Sequence, residues 1–167
     1  TVADDDPIEV YADGSEGDTI TCSVQLDRNL LLFGKRQQYA VPGREAMTPR
    51  NAYIAIQSAH DDAIDAPPVA SGNLIFFSQQ RSNRLTVHQM MTGAYADSFE
   101  SFDVTQQLDG YMIGTPRQIV AMTAPTQLFI RTKELTNGVY VFSYLDALGS
   151  EQRLFDSWSR WTWNPNL

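Results

Sequence analysis

The chain carries two histidines, His60 and His88. His60 stands beside Asp61 and Asp62, and a His–Asp pair can do general-base chemistry. No nucleophile motif of the form G-x-S-x-G accompanies it. His60 therefore reads as part of an acidic surface loop, and His88, between Val87 and Gln89, as a strand residue. Asp4-Asp5-Asp6 and Asp13-Gly14-Ser15-Glu16-Gly17-Asp18 offer oxygen ligands for a hard cation. Neither has the D-x-[DN]-x-[DN]-G spacing of an EF-hand loop, so both read as solvated loops. The lone Cys22 has no partner for an internal disulfide, and no Cys/His cluster suggests zinc. It lies in the apolar run Ile20-Thr21-Cys22-Ser23-Val24 and reads as a small core residue. No catalytic, metal or cofactor set emerges, and the reading is non-enzymatic.

The other chemistry-bearing feature is aromatic. Trp158, Trp161 and Trp163 end the chain's last apolar segment. Side chains alternate along a strand, so Trp161 and Trp163 share a face, as aromatics do on sugar-stacking platforms. The competing reading is core or subunit interface, where Trp and Tyr are enriched. Ser157, Ser159 and Arg160 suit a strand with one wet edge, and core or interface is favoured. A glycosidase would need two carboxylates facing each other across a substrate. The many carboxylates here cannot be paired from sequence.

These residues need strands to hold them. Val139–Leu145 places Val139, Val141 and Leu145 on one face and Tyr140, Phe142 and Tyr144 on the other. Both faces are apolar, which predicts a sheet covered on both sides. Strands are also expected at 19–26, 30–33, 37–41, 52–56, 74–78, 84–90, 119–122, 127–132 and 152–163. Turns are expected at Asp27-Arg28-Asn29, Gly34-Lys35-Arg36, Pro42-Gly43, Ser71-Gly72-Asn73, Gln79–Asn83 and Asn137-Gly138. Asp103 is placed to cap one helical turn over Val104–Leu108. No window shows a sustained helical period, so the fold class is all-β with short antiparallel sheets.

The chain has 167 residues, the size of one domain. Residues 1–18 read as an acidic connector and 19–167 as one domain fragment. The chain opens without Met, and it is read as a piece of something longer or as a processed chain. A net charge of −8 disfavours gripping DNA or an anionic membrane, because phosphate contacts rely on Lys and Arg. No apolar run is long enough to span a bilayer.

A weak repeat runs through Ile20–Val41, Val69–Met90 and Ile119–Leu145. Each holds an apolar strand, a polar turn and a second apolar strand. The spacing of ~50 residues suits propeller blades. Three blades are too few to close a propeller of ~4–8.

The same residues carry a resemblance. Asp5-Asp6-Pro7-Ile8-Glu9-Val10 follows a D-D-P-I-[DE]-V opening. Asn29-Leu30-Leu31-Leu32-Phe33-Gly34 with Gln38-Tyr39 follows an "nLLLFs…Qf" strand pair. Met47-Thr48-Pro49, Gly72 through Phe77, and Ser101-Phe102-Asp103-Val104-Thr105 match later elements in order. Val139-Tyr140-Val141-Phe142-Ser143-Tyr144-Leu145 and Gln152 through Trp161 match the "lYVYkyl…SaWsrW" end. The chain resembles the tail tubular protein B family, the nozzle proteins of short-tailed podophages. It departs from the family pattern at Leu85–Met90, and only part of the pattern survives at Asp109–Gly114.

The resemblance implies an internal fragment of a virion structural protein in the phage tail. It implies a six-fold ring below the tail adaptor ring, near the tail fibres, that conducts DNA during ejection without gripping it. An acidic channel wall suits that passage. It also implies that Leu31, Phe33, Phe76, Tyr140, Phe142, Tyr144, Trp158, Arg160 and Trp161 are structural signature residues. No cofactor is implied. The alternative is an all-β module that recognises host-surface polysaccharide through the Trp cluster.

Overall fold

The computed structural model describes residues 6–8, 17–43, 46–60, 66–93, 95, 98–108, 110–147 and 152–164. Among them the chain forms twelve strands and no helix. β1 (Ile20–Leu26), β2 (Asn29–Gly34), β3 (Gln38–Val41) and β4 (Ala55–Ser58) make the first sheet. β5 (Val69–Ser71), β6 (Leu74–Arg81), β7 (Arg84–Thr92) and β8 (Phe99–Asp103) make the second. β9 (Pro116–Thr123), β10 (Thr126–Thr132), β11 (Gly138–Asp146) and β12 (Arg153–Thr162) make the third. Each sheet is an antiparallel meander in which sequence neighbours pair. The sheets begin at Ile20, Val69 and Pro116, which is the repeat seen in the sequence. They form three propeller-like blades that do not close.

Tight turns set the registers. Asp27 and Ser82 take positive φ at the first loop position of the β1/β2 and β6/β7 hairpins, as Gly72 does between β5 and β6. Asp, Ser and Gly suit such sites because a β-branched or bulky side chain would clash there. Strand β6 continues to Arg81, so the expected turn at Gln79–Asn83 shrinks to Ser82-Asn83. The ladder continues because Gln79 and Gln80 pair with Thr86 and Leu85.

The second sheet is apolar on both faces and covered on both. Ile75, Phe77, Met90 and Phe99 pack on Leu26, Leu31, Phe33 and Ala40 of the first sheet. Leu74, Phe76, Leu85 and Val87 pack on Ile119, Leu128, Ile130, Tyr140, Phe142 and Tyr144 of the third. Strand alternation divides one run, Leu74-Ile75-Phe76-Phe77, between two cores.

Three points refine the expectations. Among the described residues no sheet covers the outer face of the third sheet, where Leu145 is exposed although Val141 is buried. Asp103 does cap the segment, its carboxylate accepting the Thr105 N–H at 2.7 Å, but Val104–Leu108 closes only as a turn, with the Leu108 N–H on the Thr105 carbonyl at 2.9 Å, and no helix follows. Phe99–Asp103, unassigned in the sequence, forms an edge strand on β7.

Candidate assembly interface

The seam between the second and third sheets is built from aromatic residues on alternate positions of β11. Phe142 stacks on Trp158 at 4.7 Å and on Tyr144 at 5.3 Å, and Phe76 meets Tyr144 at 5.5 Å. The polar ends of these rings find partners, as buried Tyr and Trp require. The Tyr144 hydroxyl lies 2.9 Å from Ser71 Oγ, and Trp158 Nε1 donates to the Val104 carbonyl at 2.9 Å. Arg153 lies over the Tyr144 ring at 4.6 Å, donates to Gln89 Oε1 at 2.6 Å and pairs with Asp146. It therefore ties the end of β12 to β7.

The seam between the first and second sheets has a polar end. The His60 and His88 rings lie 4.2 Å apart, His88 stacks on Phe77, and His60 Nε2 is 2.8 Å from Ser101 Oγ. Gln38 holds the backbone of His60 at both its N–H (3.1 Å) and its carbonyl (3.0 Å). The structure thus moves His60 from the expected open loop into a contact between sheets. Burial, then the neighbouring His60, pushes the His88 imidazole down to about 4. Among the described residues no group of three or more His, Cys, Asp or Glu could hold a metal ion.

Asp18 is a residue the sequence reading left in the connector. Its carboxylate accepts N–H bonds from Lys35 (2.9 Å), Arg36 (3.2 Å) and Gln37 (3.1 Å) and the Tyr39 hydroxyl (3.2 Å). Burial alone would raise its pKa, but these donors outweigh it and hold the carboxyl below its ordinary range. Apart from the adjacent Thr19 N–H at 2.8 Å, its partners lie 17 to 21 residues away, so no local pattern marks it. The rest of the acidic runs falls mostly outside the described residues.

The two end sheets present apolar outer faces. On the third, cross-strand register sets Val120 beside Phe129 beside Val141, Val139 beside Trp161, and Leu145 beside Phe155. Leu145 is 55 % exposed, Phe155 53 %, Trp161 49 % and Val120 45 %. On the first, Leu30 lies beside Val41, and Leu32 beside Tyr39 beside Ile56, with Leu30 and Ile56 exposed. Tyr39 and Val141 are buried within these faces, and the large apolar side chains exposed around them mark candidate interaction surfaces.

The residues expected to be structural signatures divide accordingly. Leu31 and Phe33 lie in the first seam, and Phe76, Tyr140, Phe142 and Tyr144 in the second. Trp158 is half-buried at the rim of the second seam. Arg160 is exposed beside Tyr140 on the ladder. Trp161 stands on the outer face, edge-on to Phe129 at 5.7 Å. Cys22 is partly covered against the first core, and burial raises its thiol pKa.

Stacked four-stranded meanders with a twice-covered middle sheet and apolar outer faces define a blade-type assembly protein. The family model for bacteriophage nozzle proteins matches residues 1–167, and the chain belongs to that family. It is a structural component of the phage virion tail, assembled with other tail components. No curated protein matches the chain. Among the described residues no helix is long and apolar enough to cross a membrane.

Proposed function

We propose that this chain is a blade-bearing part of the nozzle ring through which phage DNA leaves the virion, in a six-fold ring that docks under the tail adaptor ring and beside the tail fibres, with no enzymatic role. The observation that carries the reading is the contrast between the middle sheet, covered on both faces, and the end sheets, each apolar on its outer face. Such end faces are where further blades or neighbouring copies pack. The signature residues act here as structural elements: the seam aromatics fix the blades to one another, and Trp161 takes part in the outer contact. Duplex DNA carries one negative charge per ~1.7 Å. A chain of net charge −8 lets it slide past without specific binding.

The test is to fit this fold into a cryo-EM map of the intact tail. Density in the nozzle ring, with further blades on the outer faces and an acidic channel wall, is the expected result. A channel lined by Lys and Arg would overturn the passage mechanism, and absence from the tail would overturn the whole proposal. A second reading rests on the half-exposed Trp161 and Trp163: an all-β surface that stacks host polysaccharide. Saturable quenching of Trp fluorescence by host glycan would favour it.

A further inference from the structure

We propose that a cleft at one end of the third sheet is a binding site for a compact phosphate-bearing anion. The cleft is open to solvent, has a volume of about 650 Å³ and is lined by Arg117, Gln118, Arg131, Thr132, Lys133 and Thr136, with Pro67 at its edge. That volume is in the range of ~300–1,000 Å³ typical of small-ligand sites.

A break in the β9/β10 ladder makes the convergence. Arg131 pairs with Gln118, but the next residue, Thr132, pairs with Pro116. Arg117 is thus the extra residue of a bulge, and bulges re-aim side chains. This is how Arg117 and Gln118, which regular alternation would send to opposite faces, come to line one cleft. Lys133 lies two residues beyond Arg131 and is fixed by its N–H to the Thr115 carbonyl at 2.8 Å.

Among the described residues no carboxylate lines the cleft, and the one acting on its cations is Glu134, beside Lys133. Glu134, adjacent to Lys133, is turned onto Thr115, whose N–H and hydroxyl it accepts at 2.6 and 3.0 Å. No hydrogen bond or ion pair to another described residue occupies the Arg117 or Arg131 guanidinium. Thr132 Oγ1 accepts the Leu135 N–H at 3.2 Å, which leaves its own proton to donate. Three cations gathered in one concavity of a chain of net charge −8 run against its overall field. Two guanidinium forks with a nearby ammonium match the oxygen geometry of phosphate groups. The concave form favours a compact anion over a duplex, which would have to approach an otherwise acidic molecule.

The probe is inorganic pyrophosphate, titrated calorimetrically into the full chain at low, constant ionic strength. Saturable binding is expected, about tenfold weaker in Arg131→Ala if one charge-assisted contact of ~1.4 kcal/mol is lost. Arg117→Ala should behave alike, and Arg131→Lys should fall between because it keeps the charge but loses the fork. Both arginines are exposed, and unchanged melting curves would show the variants folded. Absence of saturable binding at millimolar pyrophosphate overturns the proposal. So does equal affinity in the variants, or binding of a duplex oligonucleotide through these arginines without binding of pyrophosphate.

Discussion

At the scale of single residues, two side chains have measurable consequences. Trp158 combines a stack on Phe142 with a hydrogen bond to the Val104 carbonyl, yet it is only half-buried. Trp158→Ala should cost about 2–4 kcal/mol, at or below the range for a fully buried aromatic. Trp158→Phe keeps the stack and loses the hydrogen bond, at about 1 kcal/mol. A denaturant melt measures both, and an alanine effect under ~1 kcal/mol would place the ring outside the seam energetics. His88 is the pH-sensitive residue. Its pKa falls from an ordinary 6.5 to about 4 on folding, because burial and His60 outweigh the attraction of Asp103 while Arg81 adds to the depression. Between those values the unfolded chain binds a proton that the folded chain refuses. Stability is therefore full above about pH 6.5 and falls as pH drops towards 4, by at most ~3 kcal/mol. Melts from pH 7 to 4 should show this slope, and His88→Gln should flatten it.

At the scale of elements, the β11/β12 hairpin carries the most information. Gly138 opens β11 opposite Thr162, and a Cβ there would lie 2.6 Å from the Trp161 carbonyl oxygen and 3.0 Å from Thr162 Cγ2. The close approach of the strands, not a positive φ, is what demands glycine. Gly138→Ala should therefore destabilise by about 1–3 kcal/mol and speed amide hydrogen exchange across β12 first. Thermal unfolding with exchange mass spectrometry reads both, and an unchanged β12 would contradict the close packing. The sequence marked Gly138 as a hairpin residue from Asn137-Gly138, but the backbone contact that makes it necessary comes from 23 residues further on.

At the scale of the whole molecule, the exposed outer faces govern association. Leu145 pairs with Phe155, and Trp161 stands further along the same sheet face, all three about half exposed. Taken alone, the chain should self-associate, because apolar patches and sheet edges left open recruit other copies. Phe155→Glu with Trp161→Glu should shift sedimentation velocity profiles towards monomer. Each residue is about half exposed, so the fold itself should change by only about 0.5 kcal/mol per site. Persistent oligomers in the double variant would move the interface elsewhere. In the tail, the same substitutions should impair incorporation into virions.

Much of this was legible in the sequence. Alternation, turn residues and the ~50-residue rhythm are local properties, and they gave the all-β class, most strands and the blade repeat. Leu74–Phe77 is apolar at every position and is covered on both faces, because a strand buried on both sides has no reason to keep polar residues. The same pattern in Val139–Leu145 states that a face is to be covered and not what covers it. Among the described residues no sheet lies over that face, where Leu145 is exposed and Val141 is buried. The tertiary structure alone brought His60 against His88 from 28 positions away and turned Asp18 into a clasp for Lys35–Gln37. It alone, through one bulge, set Arg117 beside Arg131. The physical reason is that these groups meet through sheet packing and register, and neither is encoded in any short window of residues.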